Sequence, residues 1–132
     1  MRIALLTSFF VSVMRIRRLS RQTFSHFNCS SSDCLIAVPR ARYHVDNVPN
    51  RLLVTYAGKG TEWLPEDASV RGAYARGEPN EKIIKDHSAK QFIEQWDVAI
   101  FRGGASGLLH RTPDPALQAN SILMRLDRDV HN

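Results

Sequence analysis

The chain has 132 residues, 43% of them apolar, which is a size and composition typical of one globular domain with one hydrophobic core. Its 18 lysines and arginines outnumber 13 acidic residues, and the net charge of +5 favours anionic partners. The sequence has no long lysine tract, RNA-binding aromatic motif or zinc-finger spacing, so it gives no strong nucleic-acid signal.

The first residues, MRIALLTSFFVSVM, form an apolar run that is too short to span a bilayer. The run also lacks the small-residue cleavage site of a signal peptide. We therefore expect no membrane span and a cytoplasmic protein. Residues 1–33 are predicted to be an N-terminal extension, either partly disordered or a remnant of a longer domain, in which Cys29, like the nearby Cys34, is a free thiol.

Residues 34–132 read as the main domain, and most of its segments are of β type. The extended stretches, in chain order, are CLIAV, ARYHVDNV, RLLVTYAG, TEWL, DVAIFRG, LLHR and NSILMRLD. Turns are predicted at Gly58–Gly60, at GGASG and at TPDP. EDASVRGAYARGE carries a weak helical pattern that Gly77 and Pro79 stop. EKIIKDHSAKQFIEQW carries a clearer one, with these apolar side chains on one helical face: Ile83, Ile84, Phe92, Ile93 and Trp96.

Three residues in these β-type stretches are candidate metal ligands. His44 and Asp46 are two residues apart, so strand alternation directs both side chains to one face. His110, in the run after the glycine-rich turn, is the best-placed third ligand. Two imidazoles and one carboxylate form the facial set used by non-haem Fe(II) oxygenases. The spacing alone also allows a strand histidine hydrogen-bonded to Asp46 and a surface histidine at 110. His26, His87 and His131 are less suitably placed.

A longer pattern strengthens this hypothesis. ARYHVDNVPNRLLVTYAGKGTEWLPED, with WDVAIFRG and GLLHRTP, resembles an uncharacterised bacterial family of unknown function with the pattern HVDxVxxRLLxTYxGxGTEWL and a terminal HRSP element. The resemblance covers roughly residues 40 to 127. The same pieces are similar to prolyl-hydroxylase-like iron and 2-oxoglutarate dioxygenases. The chain looks shorter at its front than that family.

The resemblance implies a double-stranded β-helix, a cupin-like jelly roll with a helical insertion, over residues 34–132. His44, Asp46 and His110 are then the Fe(II) ligands, and Gly60, Thr61 and Glu62 lie on the turn after the HxD strand. Family members begin the last strand with an arginine where this chain has Ser121. Arg125 shares a strand face with Ser121 and can replace that arginine in binding 2-oxoglutarate. Alternation turns Arg111 away from the ligand face.

Three functions follow as alternatives. The first is a non-haem Fe(II)-dependent, 2-oxoglutarate-using oxygenase acting on an unknown small-molecule or peptide substrate. The second is a metal-dependent hydrolase or isomerase on the same barrel. The third is a degenerate metal-binding module that does not catalyse a reaction.

Overall fold

The computed structural model describes the backbone of residues 11–14 and the whole of residues 40–128. Cys29, Cys34, His26, His131 and the CLIAV segment lie outside these residues. The strands of the described chain are β1 (Val11–Met14), β2 (Asn50–Ala57), β3 (Glu62–Trp63), β4 (Gln91–Phe92), β5 (Val98–Arg102), β6 (His110–Arg111) and β7 (Ile122–Asp127). The α-helices are α1 (Arg71–Ala75), α2 (Asn80–Ile83) and α3 (Asp114–Gln118).

The strands form two small antiparallel sheets, so the prediction of a mainly β protein with few helices is confirmed. The larger sheet has the order β1-β5-β2-β7, and the smaller has the order β4-β3-β6. β1, in the predicted N-terminal extension, pairs with β5 at the edge of the larger sheet. β2 lies at its centre, with Arg51 opposite Phe101 on β5 and opposite Asp127 on β7.

The apolar run of β2 explains its central place. Leu52, Leu53 and Val54 are consecutive and all buried, as expected of a strand that is covered on both faces. One face contributes Leu53 to a cluster that also includes Leu108, next to the smaller sheet. The other face contributes Leu52 and Val54 to a second cluster. The core is therefore layered on both sides of the larger sheet.

The helical insertion packs against the strand segments that carry the candidate ligands. Its cluster consists of Tyr43, Leu64, Ala73, Ile83, Ile84 and Leu109. Tyr43 and Leu109, both fully buried, each precede a candidate histidine by one residue. The insertion thus supports the backbone from the face opposite to the histidine side chains.

The insertion is more irregular than its sequence predicts. The weak pattern gives α1, which ends before Gly77 as expected. One long helix across EKIIKDHSAKQFIEQW is wrong, because α2 stops at Ile83, a 3-10 turn follows at His87–Ala89, and β4 pairs with β3. The apolar side chains do not share a face: Ile93 is buried, whereas Trp96 is 62% exposed at a positive φ of 68°.

Two smaller predictions also need correction. The TPDP segment opens α3 and is not only a turn. ARYHVDNV is not a continuous strand, since His44 makes one isolated bridge and residues 45–49 are not in a strand. Over residues 11–14 and 40–128, no helix combines the length and the apolar character needed to cross a membrane.

Candidate metal centre

The structure brings His44, Asp46 and His110 together, as the sequence predicts. Each residue offers one ligand atom, and these atoms all lie within 4.8 Å of one another. Asp46 and His110 are buried, and His44 is half-buried. Two imidazole nitrogens and one carboxylate oxygen at this separation can hold a divalent metal ion.

Backbone pairing brings the two histidines into contact. The N–H of each donates to the carbonyl oxygen of the other at 3.0 Å. The ring centroids are consequently 4.4 Å apart. The ring of Phe101, on the larger sheet, packs against His110 at 4.8 Å between centroids. Contact across this bridge places the imidazoles side by side. Strand alternation, predicted to direct His44 and Asp46 to one face, does not apply, because residues 45–49 are not in a strand.

Each imidazole is fixed in one tautomer by a backbone carbonyl. Nδ1 of His44 lies 3.0 Å from the carbonyl oxygen of Arg42, and Nδ1 of His110 lies 3.0 Å from that of Leu108. A carbonyl oxygen only accepts, so Nδ1 carries the proton in each ring and Nε2 keeps its lone pair. This orientation of a metal-binding histidine by its second nitrogen is common. The alternative reading of His44 as hydrogen-bonded to Asp46 is wrong, because Oδ1 of Asp46 bonds Arg51 and Oδ2 has no hydrogen-bond partner among the described residues.

Burial keeps both rings neutral. Desolvation lowers the pKa of His44 and lowers the pKa of His110 to about 4, while Asp46 acts against that shift by raising both values. A neutral imidazole is the form that binds a metal. His110 is only 4% exposed, so the alternative reading of it as a surface residue is wrong.

The carboxylate of Asp46 has two unlike oxygens. Oδ1 accepts a hydrogen bond from Nη1 of Arg51 within an ion pair. Oδ2 is buried without a hydrogen-bond partner in the described part of the chain, and it lies 3.5 Å from Nε2 of His110. A buried oxygen with unused lone pairs costs free energy unless a cation or donor reaches it. Oδ2 therefore fits the position of a metal ligand.

The glycine-rich turn holds the backbone on which Asp46 sits. The N–H of Gly104 donates to the carbonyl oxygen of Asp46 at 2.7 Å, and the N–H of Gly103 donates to that of Pro49 at 3.0 Å. A Cβ at Gly103 would lie 1.9 Å from the carbonyl oxygen of Val48, so only glycine allows this approach. The GGASG turn of the sequence thus has a definite role in placing a ligand.

The three residues line an open cavity of about 190 Å³. Its lining includes Arg40, Arg51 and Arg125, so several positively charged side chains lie around the buried carboxylate of Asp46. Arg125 lies on β7, and Nε of its partly exposed side chain is 3.7 Å from Oδ2 of Asp127. Ser121 is exposed, precedes β7 next to Gly58 and is not among the cavity residues.

Residues 3–127 match the model of a protein family of unknown function, DUF1826. The chain belongs to the DUF1826 family. No curated protein and no solved structure matches it.

In this DUF1826 chain, Arg111 lines the cavity together with the metal ligands, but two carboxylates bind its guanidinium. Its guanidinium bonds both carboxylate oxygens of Glu62, at 3.0 and 3.1 Å, and both of Asp114, at 2.8 and 3.1 Å. Tyr43 donates its hydroxyl to Glu62, and the pKa of Tyr43 is raised mainly by burial and by that carboxylate. Glu62 therefore lies in β3 as half of a buried ion pair, and not on a turn.

Sequence reasoning missed Arg51 as a site residue of the DUF1826 chain. It begins the apolar run of β2, where a charged residue usually marks only the edge of a strand. Its contact with Asp46 depends on how the 46–49 loop folds back, which no local pattern reports. Beyond the five positions that separate Asp46 from Arg51, the sequence offers no signal for this contact.

Proposed function

We propose that this protein is a non-haem Fe(II)-dependent oxygenase that uses 2-oxoglutarate and acts on a small-molecule or peptide substrate. The observation that carries the proposal is that His44, Asp46 and His110 each offer one ligand atom, all within 4.8 Å of one another, with Oδ2 of Asp46 lacking a hydrogen-bond partner in the described chain. Two imidazoles and one carboxylate are the donor set of the 2-His-1-carboxylate oxygenases, in which further positions stay open.

Fe(II), when bound there, would supply the activation of dioxygen, coupled to oxidative decarboxylation of the 2-oxo acid. The chain's own residues orient the metal ligands and enclose the site. The carbonyls of Arg42 and Leu108 accept hydrogen bonds from Nδ1 of the two imidazoles, so Nε2 of each ring is the nitrogen left for the metal. Phe101 packs behind His110 and excludes water from that side.

Arg125 is the residue that we assign to the far carboxylate of 2-oxoglutarate. It lines the same cavity as the three ligands, and its ion pair with Asp127 is long at 3.7 Å. A guanidinium suits a carboxylate because it donates two parallel, charge-assisted hydrogen bonds. Ser121, the other candidate for this role, lies outside the cavity lining, so the proposal depends on Arg125 alone.

The proposed fold for this activity is a double-stranded β-helix of cupin type. Two antiparallel sheets support it, together with the cluster that joins Leu53, Ala99 and Phe101 of the larger sheet to Leu108 beside the smaller one. In such a fold the metal lies at the open end of the barrel. The cavity is lined by His110 of β6, in the smaller sheet, and by Arg125 of β7, in the larger one, which is compatible with that position.

An anaerobic titration of the protein with Fe(II), with and without 2-oxoglutarate, tests the proposal. Stoichiometric iron binding and a visible charge-transfer band that appears only with 2-oxoglutarate are the expected result, because the band requires the 2-oxo acid to chelate the iron. Iron binding without the band would contradict the oxygenase and favour a metal-dependent hydrolase or isomerase. Absence of metal binding would contradict the proposed metal site itself.

A further inference from the structure

Arg51 joins two acidic side chains from different parts of the fold. Its Nε and Nη2 donate to Oδ1 and Oδ2 of Asp127 at 2.6 and 2.9 Å, a parallel two-bond arrangement. Its remaining nitrogen, Nη1, donates to Oδ1 of Asp46. Every nitrogen of this guanidinium thus bonds a carboxylate oxygen.

The Asp127 pair fixes where the guanidinium lies. Arg51 and Asp127 are directly opposite each other in the pairing of β2 with β7, so their side chains project from one face of the sheet. The side chain of Arg51 is 15% exposed and that of Asp127 is 20% exposed. A planar fork bound at two points in such surroundings has little freedom to rotate.

That fixed guanidinium decides which oxygen of Asp46 remains available. The side chain of Asp46 is only 3% exposed, and Arg51 engages its Oδ1. Oδ2 has no hydrogen-bond partner among residues 40–128 and faces Nε2 of His110. The carboxylate therefore has a positive partner at Oδ1, whereas Oδ2 remains available to a further ligand or cation.

We infer that Arg51, held by Asp127, is a positioning residue that makes Asp46 a one-oxygen metal ligand. The inference rests on the proposed metal site and deepens it. A carboxylate with both oxygens free can chelate a metal through both, which would occupy a position that a cosubstrate needs. With Oδ1 bound to Arg51, the carboxylate presents Oδ2 alone.

Co(II) is a suitable probe, because its visible absorption spectrum depends on the number and kind of its ligands. The test compares the full chain with Arg51→Gln, Arg51→Lys and Arg76→Gln, each titrated with Co(II) alone and in competition with a chromophoric chelator. Arg76 forms an exposed ion pair with Glu78 and does not line the cavity, so Arg76→Gln controls for the lost charge.

Arg51→Gln is expected to bind one Co(II) about 10- to 100-fold more weakly, the range typical for removing a partner that orients a ligand. Its Co(II) spectrum should change as well, because Oδ1 becomes available. Arg51→Lys should recover part of the affinity, since an ammonium still balances the charge of Asp46. Arg76→Gln should match the parent protein in both measurements.

A spectrum and affinity of Arg51→Gln that superimpose on those of the parent would overturn the inference. Equal losses in Arg51→Lys and Arg51→Gln with an unchanged spectrum would also overturn it, since they indicate a purely structural role. If Arg51→Gln does not fold, Asp127→Asn replaces it: the bond from Arg51 to Asp46 can persist there without its anchor, and a smaller spectral change in the same direction is expected. Failure of the parent to bind Co(II) would instead contradict the proposed metal site.

Discussion

His110 and Asp46 approach each other to 3.5 Å, through Nε2 of the imidazole and Oδ2 of the carboxylate. Nδ1 of the ring holds its proton on the carbonyl of Leu108, so the two facing atoms both carry lone pairs. Two buried acceptors at this separation repel each other. A cation between them removes that repulsion, which is the physical reason for expecting metal to bind and to stabilise the fold.

The first prediction concerns the ligand set. His44→Ala and His110→Ala should each abolish stoichiometric binding of Fe(II) or Zn(II), because each removes one of three ligand atoms. Metal content after gel filtration measures this directly. His87→Ala is the control, since His87 is exposed on the 3-10 turn outside the cavity. If all three variants lose metal equally while remaining folded, the assignment of ligands is wrong.

The second prediction is that metal raises the free energy of unfolding. A ligand that binds only the folded chain at 100 times its dissociation constant adds about 2.7 kcal/mol. Thermal or denaturant unfolding with and without Zn(II), followed by circular dichroism, would show the difference. His110→Ala should gain none of it. An unfolding midpoint of the parent protein that does not respond to metal or chelator would contradict the prediction.

The third prediction concerns the turn that supports Asp46. In Gly103→Ala the new Cβ would lie 1.9 Å from the carbonyl oxygen of Val48 and 2.6 Å from that of Asp46, so the backbone must move. We expect a loss of about 1–3 kcal/mol in stability, the usual range for overpacking, together with weaker metal binding. Gly72→Ala in α1 is the matched control, because its Cβ meets only the flexible end of Arg76. Unchanged metal affinity in Gly103→Ala would show that the turn does not place Asp46.

The fourth prediction separates the buried ion pair from the metal site. Arg111→Ala would leave Glu62, 2% exposed, without its guanidinium partner. Removing one partner of a buried pair typically costs about 3–5 kcal/mol. Denaturant unfolding should show that loss in the free energy of unfolding. Arg76→Ala, which breaks the exposed ion pair with Glu78, should lower the free energy of unfolding by about 1 kcal/mol or less. Equal small losses in both variants would mean that Glu62 finds other partners.

The sequence predicts the parts of this fold that depend on local patterns. The strands from Asn50 to Ala57 and from Val98 to Arg102 follow from their apolar runs, and both lie inside the core. The ligand set could be chosen because the resemblance located it, since 5 histidines and 13 acidic residues make the spacing alone a weak signal. Where local pattern and tertiary contact compete, tertiary contact decides: the stretch before Trp96 has helical spacing, yet Gln91–Phe92 pairs with β3.

Arg51 is an example of a site residue that local sequence patterns do not predict. Nothing in the composition of RLLVTYAG distinguishes it from an ordinary charged residue at a strand end. Its partners are Asp127, which lies 76 positions further along the chain, and Asp46, which lies on a loop. Contacts of this kind follow from strand register and loop path, and therefore become visible only in the folded structure.

The last prediction concerns the cosubstrate. Alternation along β7 places Leu123 and Arg125 on the cavity side, and both line it. The side chain of Arg125 is 34% exposed, and its ion pair with Asp127 is long, at 3.7 Å, so the guanidinium can turn towards an incoming carboxylate without breaking a short ion pair. Hydrogen bonds to a charged group are worth about 1.5–3 kcal/mol, and Arg125→Ala should weaken 2-oxoglutarate binding by that amount.

Isothermal titration of the Zn(II)-loaded protein with 2-oxoglutarate measures this change. Metal stoichiometry should be the same in Arg125→Ala as in the parent, because the variant leaves the three ligands intact. Arg128→Ala is the control, since Arg128 is exposed just beyond β7 and lies outside the cavity lining. Unchanged affinity in Arg125→Ala would remove Arg125 from the site, and equal weakening in Arg128→Ala would mean that the anion responds only to the overall positive charge of the chain.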